Sequence, residues 1–426
     1  MACDNKTLFH RGLELFRKIS KSAPTPIIYS AASYNIKPQD FSHNALSVIK
    51  TLRKAGHQAY IVGGCIRDLL LNTTPKDFDI STSAKPEEIK TLFKNCILVG
   101  KRFRLAHVRF ANQIIEVSTF RSGSPDEDCL ITKDNLWGTA EEDVLRRDFT
   151  INGLFYDPAE ETIIDYTGGV NDLQNRYLQT IGDPFVRFKQ DPVRMLRLLK
   201  ILSRTAFTID PKTLEALQQC RYELIKSSQA RVFEELIKML GSGVSSEFFK
   251  LTAKYQILEI LFPYMAKVFR LNSKLKEQTF SYLDKLDQNI LKKKHHYERH
   301  QLMAIFLFPL VNFNVRYKHK QHPGLSLNAI FDYIRNFLGK FFADSFTSCS
   351  KKNFILTALI LQMQYRLTPL AVKKKHVFNR KFLNHVRFSE ALSLLEIRSL
   401  VYPKLDKIYV AWIRHYRSSQ SKKESS

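Results

Sequence analysis

Asp77 and Asp79 stand two positions apart in KDFDIST, a run that reads as a β-strand. Successive strand side chains alternate faces, so the two carboxylates project together and Phe78 and Ile80 lie on the other side. Carboxylates side by side repel and raise one another's pKa unless a cation sits between them. Hard oxygen pairs of this kind suit Mg²⁺, which keeps waters and takes phosphate oxygens as further ligands. Upstream, IVGGCIRD reads as strand, Gly63-Gly64 turn and helix. The free N–H groups and dipole of that helix favour an anion, and Arg67 lies in its first turn. A phosphate cradle beside a metal-binding carboxylate pair is equipment for phosphoryl or nucleotidyl transfer. Either feature alone reads more simply as a solvated strand edge or a tight turn; their order and proximity carry the inference.

Three more groups could join this chemistry. Glu116 lies inside IIEVSTF, and a carboxylate amid an apolar strand is costly unless paired or metal-bound. It is a candidate third carboxylate, with an ordinary salt bridge as the alternative. RRDFTINGLFYDP places Arg147 and Asp148 just before an apolar segment that contains Asn152. Such a cluster can hold ribose hydroxyls and phosphate by charge-assisted hydrogen bonds. A helix C-cap with an internal ion pair explains it equally well. In DPVRMLRLLKILSRTA, Asp191 reads as an N-cap with Pro192 at the first helical position. Arg194 and Arg197 fall on the opening turns, away from Leu196 and Leu199. KKKHHYERH offers His296 and His300 at the spacing of a metal pair, but the lysines oppose a cation. It reads as a solvated basic helix end.

The elements that must position these groups alternate at first. Helical spacing covers Asn44–Ala55 and Lys85–Lys94, and Ala59–Val62 is a strand. Ile97–Gly100, Arg104–Ala111 and Gln113–Phe120 read as three short strands. In the second, Ala106, Val108 and Phe110 face one way and His107 and Arg109 the other. Ser122–Trp137 is a polar loop, and Ala140–Arg147 is a short helix running from acidic to basic. Strand signals fade after Gly168-Gly169. From Gln190 the chain reads almost wholly as helix, through Pro211–Cys220, Gln229–Leu240 and Ser246–Leu261, with no internal repeat. The expected division is a basic leader over 1–40 with one helix near Leu8–Ile19, then a mixed head over 41–156. A neck over 157–240, a helical body over 241–370, a basic helical region over 371–418 and a disordered tail over 419–426 follow.

Composition bounds the partners. The 426 residues include 66 Lys and Arg against 41 Asp and Glu, a formal net charge of +25. That excess costs self-repulsion and points to a polyanion, nucleic acid before an acidic membrane surface. Over 371–426 the balance is 13 basic to 4 acidic residues, interleaved with aromatics in KKKHVFNRKFLNHVRF and YVAWIRHYR. Basic side chains track a phosphate backbone and aromatics can stack bases. Lys373–Lys375 and Arg380–Lys381 are therefore the expected RNA contacts. Phe306–Pro309 and Phe341-Phe342 sit in helical context and read as core. The six cysteines are scattered with no CxxC pair, which suits a reducing cytoplasm. The apolar runs Met303–Val311 and Phe354–Met363 are too short to span a bilayer, and no secretory signal is visible. A cytoplasmic protein with no membrane partner is expected.

At this point the motifs fall into a known order. GGCIRD (63–68), DFD (77–79), RRDFTIN (146–152), DYTGG (165–169), QDPVRMLR (190–197) and ARVFEEL (230–236) resemble, in order and spacing, the class II nucleotidyltransferases. These are the bacterial poly(A) polymerases and the CCA-adding enzymes. The stretch from Lys76 to Cys96, with GKRFRLAHVRF and IIEVSTFR after it, is more similar to the poly(A) polymerase branch. The resemblance implies an α+β fold: a nucleotidyltransferase (polymerase β-like) head with a small mixed sheet, then an elongated all-α neck, body and C-terminal region. It implies that Gly63, Gly64, Arg67 and Asp68 hold the triphosphate, and that Asp77 and Asp79 are the metal ligands. Arg147, Asp148 and Asn152 match a ribose-contacting motif. Asp165, Gly168 and Gly169 match a flexible hinge, and Asp191 and Arg194, with Arg197 following, match a base reader. Gln190 stands where the family carries Glu, and Cys65 where a small residue is usual.

The activity so implied is template-independent transfer of AMP from ATP to an RNA 3′-hydroxyl, with Asp77 and Asp79 bridging two Mg²⁺ ions about 3.5–4 Å apart. RNA 3′ ends, of mRNA and other RNAs, are the expected partners, with RNA-decay machinery beside them, and the expected state is a monomer. CCA addition to tRNA uses the same head and remains the rival. A non-catalytic RNA-binding protein is a second rival, opposed by the intact Asp77, Asp79 and Arg67.

Overall fold

The computed structural model describes residues 25–100, 104–123, 130, 136–293, 295–370 and 379–424. The helix expected near Leu8–Ile19, the Lys373–Lys375 cluster and most of the Ser122–Trp137 loop lie outside these residues. The chain forms two compact units. The first comprises Met1–Gln190 with Phe207–Glu215, the second Asp191–Ala206 with Ala216–Ser426.

The first unit is built on one eight-stranded mixed sheet. Its strands are β1 (Ile27–Ser30), β2 (Ala59–Val62), β3 (Asp79–Thr82), β4 (Cys96–Val99), β5 (Leu105–Arg109), β6 (Ile114–Thr119), β7 (Leu154–Asp157) and β8 (Thr162–Asp165). The order across the sheet is β1-β8-β7-β2-β3-β6-β5-β4. Only β3 and β6 run parallel, in a register that sets Asp79 beside Glu116. Alternation decides the faces: in β6, Ile115, Val117 and Thr119 are buried while Ile114 and Glu116 are exposed. In β5, Ala106 and Val108 turn inward, as the sequence pattern predicts. Val62, Phe120, Val144, Phe155 and Ile181 form a core cluster of this unit. Phe41 stacks on Tyr156 with ring centroids 4.1 Å apart.

Three expectations change here. Part of the supposed leader is structural, because β1 closes the sheet edge against β8. Asp77 lies just ahead of β3 rather than within it, although Asp77 and Asp79 are both exposed and Ile80 is fully buried. β7 and β8, on either side of the boundary expected at 156, belong to one sheet, and the compact division falls after Gln190.

The DYTGG turn is closely hydrogen-bonded. Asp165 is 1% exposed, and its carboxylate accepts hydrogen bonds from the backbone N–H of Thr167, Gly168, Gly169 and Val170, at 2.8–3.0 Å. Gly168 adopts φ +79°, and Gly169 packs against the Thr150 carbonyl so closely that no methyl would fit. The backbone donors at the start of helix Gly169–Gln174 are thus satisfied from within.

The second unit is all helix, as expected. Its first helix, Val193–Thr205, is followed by Gln229–Leu240, Ser245–Lys254, Ser273–Lys293, Arg299–Gln321, Leu327–Asp344 and Lys351–Leu367 among others. Phe306, Phe308 and Phe341 are buried core residues, as their context predicts. No described helix is long and apolar enough to cross a membrane.

His300 is not part of a solvated end. It is buried, and its Nε2 lies 2.8 Å from Glu390 Oε2. His296 precedes helix Arg299–Gln321, so no single helix face carries both imidazoles.

The C-terminal aromatics are packing residues rather than stacking platforms. Phe382, Phe388 and Trp412 are buried with Met363, Leu367, Leu392 and Leu395, with Tyr409 and Tyr416 against them. Trp412 Nε1 donates to the Leu367 carbonyl at 3.0 Å. The last helix, Asp406–Glu424, covers most of the stretch read as a disordered tail. Trp412→Ala should therefore destabilise the protein by about 3–5 kcal/mol, measured by chemical denaturation. Unchanged stability with weakened RNA binding would assign the indole to bases instead.

Candidate active site

The turn after β2 organises the first unit's polar cluster. Gly63 has φ +80° and ψ −133°, a backbone shape costly for any residue with a Cβ. Its N–H donates to the Leu154 carbonyl at 3.2 Å, and the chain then enters helix Gly64–Leu70. Two guanidinium groups close over this turn. A methyl on Gly64 would sit 3.3 Å from Arg67 Nη2, and one on Gly63 would sit 3.5 Å from Arg147 Nη1. A negatively charged group at the turn therefore meets two fixed cations and a helix N-terminus.

Each arginine is oriented by acids and amides. Arg67 donates through Nε and Nη2 to Asp68 Oδ1, at 2.9 and 2.7 Å, and through Nη1 to Asn152 Oδ1 at 2.8 Å. Asn152 Nδ2 in turn donates to Asp148 Oδ1 at 3.0 Å, where the Phe149 N–H also donates. Four of the expected site residues thus form one chain: Asp68, Arg67, Asn152, Asp148.

Arg147 belongs to a second branch. Its Nη2 donates to Asp143 Oδ2 at 2.9 Å and to Ser81 Oγ at 2.8 Å, and its guanidinium lies 5.1 Å from the Phe155 ring centroid. Ser81 and Ser118 hydroxyls are 2.8 Å apart, tying β3 to β6 beneath the arginine.

Asp143 and Ser81 were not singled out from sequence. The i, i+4 spacing of Asp143 and Arg147 was the available signal for the first; Ser81 carried none. The C-cap alternative for RRD is partly right, since Arg147 does pair within its own segment, yet the pairing leaves the guanidinium facing the Gly-Gly turn.

The carboxylates lie close by. Asp79 and Glu116 are register partners on the exposed face of neighbouring strands, and Asp77 precedes Asp79 in the exposed approach to β3. Glu116 is half exposed, with His107 Nε2 3.6 Å from its Oε1, so burial is not what constrains it. Among the described residues no three His, Cys, Asp or Glu side chains form a ready-made metal cage. Mg²⁺ does not need one, since it is commonly bound by one or two carboxylates with waters and substrate phosphates completing the shell. The donor set is all hard oxygen and fits that ion.

Cys65 reports the local field. Burial pushes its thiol up to about 12, and the nearby Asp79 and Asp68 charges add to the shift.

In the second unit, Asp191 does not serve as a simple N-cap. Arg231 holds its carboxylate in a two-pronged bond, Nη1–Oδ1 3.1 Å and Nη2–Oδ2 2.9 Å. Burial alone would raise the Asp191 pKa, but Arg231, with the charges of Arg197 and Arg194, holds it below the usual carboxylate range. Arg194 is buried rather than turned from the core. Arg197 Nε lies 3.9 Å from Glu235 Oε1. Arg231 sits inside the ARVFEEL run noted in the sequence, but no role had been given to it.

Mixed sheet, Gly-Gly turn, facing arginines and exposed carboxylates define a nucleotidyltransferase. The family model of the poly A polymerase head domain matches residues 59–179, and one described as the probable RNA and SrmB-binding site of polymerase A matches residues 206–269. Poly(A) polymerase I of Escherichia coli O157:H7 is 36% identical over 394 residues, covering 89% of this chain and 83% of that protein. The CCA-adding enzyme of Bacillus pumilus is 36% identical over 224 residues, 52% of this chain and 56% of that protein. Among solved structures, the Bacillus stearothermophilus CCA-adding enzyme in complex with CTP superposes with a TM-score of 0.63 at 25% identity, covering 90% of this chain and 83% of that one. The chain belongs to the poly(A) polymerase family, which the CCA-adding enzymes resemble, and is an RNA 3′ nucleotidyltransferase.

The Cys65 environment gives a direct check of the turn. With the thiol at about 12, the reactive thiolate is on the order of one part in 10⁴ at pH 8. Iodoacetamide at pH 8 should leave Cys65 unmodified in the native protein and label it after unfolding, read by peptide mass mapping. Rapid native labelling would show that the turn is open.

Proposed function

We propose that the protein extends RNA 3′ ends with AMP from ATP, without a template, releasing pyrophosphate. The observation that carries the chemistry is the convergence of Arg67 and Arg147 on the Gly63-Gly64 turn beside the register-paired Asp79 and Glu116. In the reaction the 3′-hydroxyl oxygen bonds to the α-phosphorus, the bond from that phosphorus to the β-bridging oxygen breaks, and the hydroxyl proton is lost.

Arg67 and Arg147 would neutralise the triphosphate and receive the charge that grows on the leaving pyrophosphate. Asn152 and Asp148 would orient the ribose through hydrogen bonds. Asp77 and Asp79, with Glu116 beside them, would hold Mg²⁺, two ions in the two-metal scheme. Bound there, the metal supplies charge neutralisation and acidifies the attacking hydroxyl. Positioning and electrostatics account for the rest. Asp191, held by Arg231, and Arg194 are the proposed base readers.

AMP addition is favoured over CCA addition by the extent of likeness. The poly(A) polymerase relative aligns over 89% of the chain, and the CCA-adding relative over 52%. CCA addition to tRNA is the second reading, supported by the CTP-bound structural neighbour. RNA binding is proposed for the 206–269 segment together with the basic surface beyond 379, within a chain of net charge +25. A monomer in the cytoplasm acting on mRNA and other RNA 3′ ends belongs to the same proposal. So does a protein partner, because the second family description names SrmB beside RNA.

Primer RNA with Mg²⁺ and each nucleoside triphosphate separately should give long A tracts from ATP alone. Addition of three nucleotides, confined to tRNA and requiring CTP, would select the rival. Asp77→Ala and Asp79→Ala should each abolish incorporation while RNA is retained on a filter. Surviving incorporation in both would remove the carboxylates from the reaction.

A further inference from the structure

We infer that Arg187 and Gln190 form a clamp that positions Arg147 over the Gly63-Gly64 turn; the inference rests on the reading of that turn as the nucleotide site. Both residues come from helix Pro184–Gln190, one turn apart, and are 2% and 1% exposed. Arg187 Nη1 donates to Gln190 Oε1 at 2.9 Å. Its Nη2 donates to the carbonyls of Leu145 at 3.1 Å and Arg147 at 2.7 Å.

These carbonyls lie at the end of helix Ala140–Leu145, where backbone acceptors have no partner within the helix. Arg187 supplies donors there and pins the peptide from which the Arg147 side chain departs. A guanidinium is planar and its donors are fixed relative to one another. Holding Nη1 on Gln190 therefore sets the plane in which Nη2 reaches the two carbonyls. Asp143 and Ser81 fix the far end of Arg147. The arginine over the turn is held at its root by one device and at its tip by another.

An amide oxygen and a carboxylate oxygen can each accept the Arg187 bond, so the clamp needs an acceptor at position 190 and not a charge. Arg187 and Gln190 touch no reacting atom in this scheme; they act through Arg147.

The test is steady-state incorporation by the full chain, with saturating primer RNA and varied concentrations of the triphosphate it incorporates. Gln190→Met keeps the volume and removes the acceptor. It should raise KM for the triphosphate about tenfold, the ratio one lost buried hydrogen bond is worth, with kcat and KM for RNA little changed. Gln190→Glu should restore the lower KM. A packing role alone would reduce the active fraction, lowering kcat and leaving KM unmoved, and that result overturns the clamp. So does an equal rise in KM for Gln190→Met and Gln190→Glu. Should Gln190→Met fold poorly by circular dichroism, Arg187→Lys carries the test with the same two outcomes, since it keeps the charge and loses the fork. Failure of the polyadenylation reading would appear separately, as a different nucleotide incorporated by the unmutated protein.

Discussion

A half-buried cation held to a buried acid is the interaction on which the first unit's site depends. Arg147 and Asp143 sit with side chains only 20% and 10% exposed, 2.9 Å apart. Removing one partner of a fully buried pair costs about 3–5 kcal/mol, and this pair, with Arg147 partly in water, costs less than that. The pair is also what joins the sheet to the helix above it. Ser81 comes from β3 and Asp143 from helix Ala140–Leu145, and both grip the same guanidinium nitrogen. Arg187 holds the backbone behind it. Gly63 is required by its backbone shape, φ +80°, and not by crowding, since a methyl there would meet Arg147 at ordinary contact distance.

The opposite electrostatic arrangement governs the carboxylates. Asp77, Asp79 and Glu116 are kept near water, where their mutual repulsion is screened and their oxygens can be reached by an ion. The second unit repeats the first arrangement with its own residues. Arg231 grips Asp191 so firmly that the acid stays ionised despite burial. In each unit, then, an arginine is fixed by a carboxylate, while the acids at β3 and β6 stay exposed.

Much of this was legible in the sequence because the signals are local. The Gly-Gly turn, the alternation in β5 and β6, and the RRD…N cluster each announce themselves within a dozen residues. The long-range pairings do not. β1 is a four-residue strand whose only partner, β8, lies far along the chain, so its residues read as part of a leader. Glu116 was placed correctly beside the acids, but the cost argument that flagged it fails, because the parallel β3–β6 pairing leaves it half exposed. His300 reads as part of a solvated basic helix end because its partner, Glu390, comes from a distant helix. Arg187, Asp143 and Arg231 lie in plain helical context, and nothing in their spacing says which carbonyl or acid they will meet. The C-terminal aromatics misled for a related reason. A ring among lysines has the same sequence signature whether it stacks a base or fills a core.

The placement of Trp412 has a consequence for how the chain can be divided. Its indole hangs from the Leu367 carbonyl and packs with Met363 and Leu367, residues of a helix that precedes the basic region. The last helices are therefore the closing wall of the second unit, not an appendage carrying charge. Cutting the chain near 370 would strip that wall and bare an oily surface in water. A shortened protein would then be judged on its solubility before its grip on RNA could be weighed. Charge here has to be dissected side chain by side chain on the intact chain, because the basic residues and the core they cover are built from the same helices.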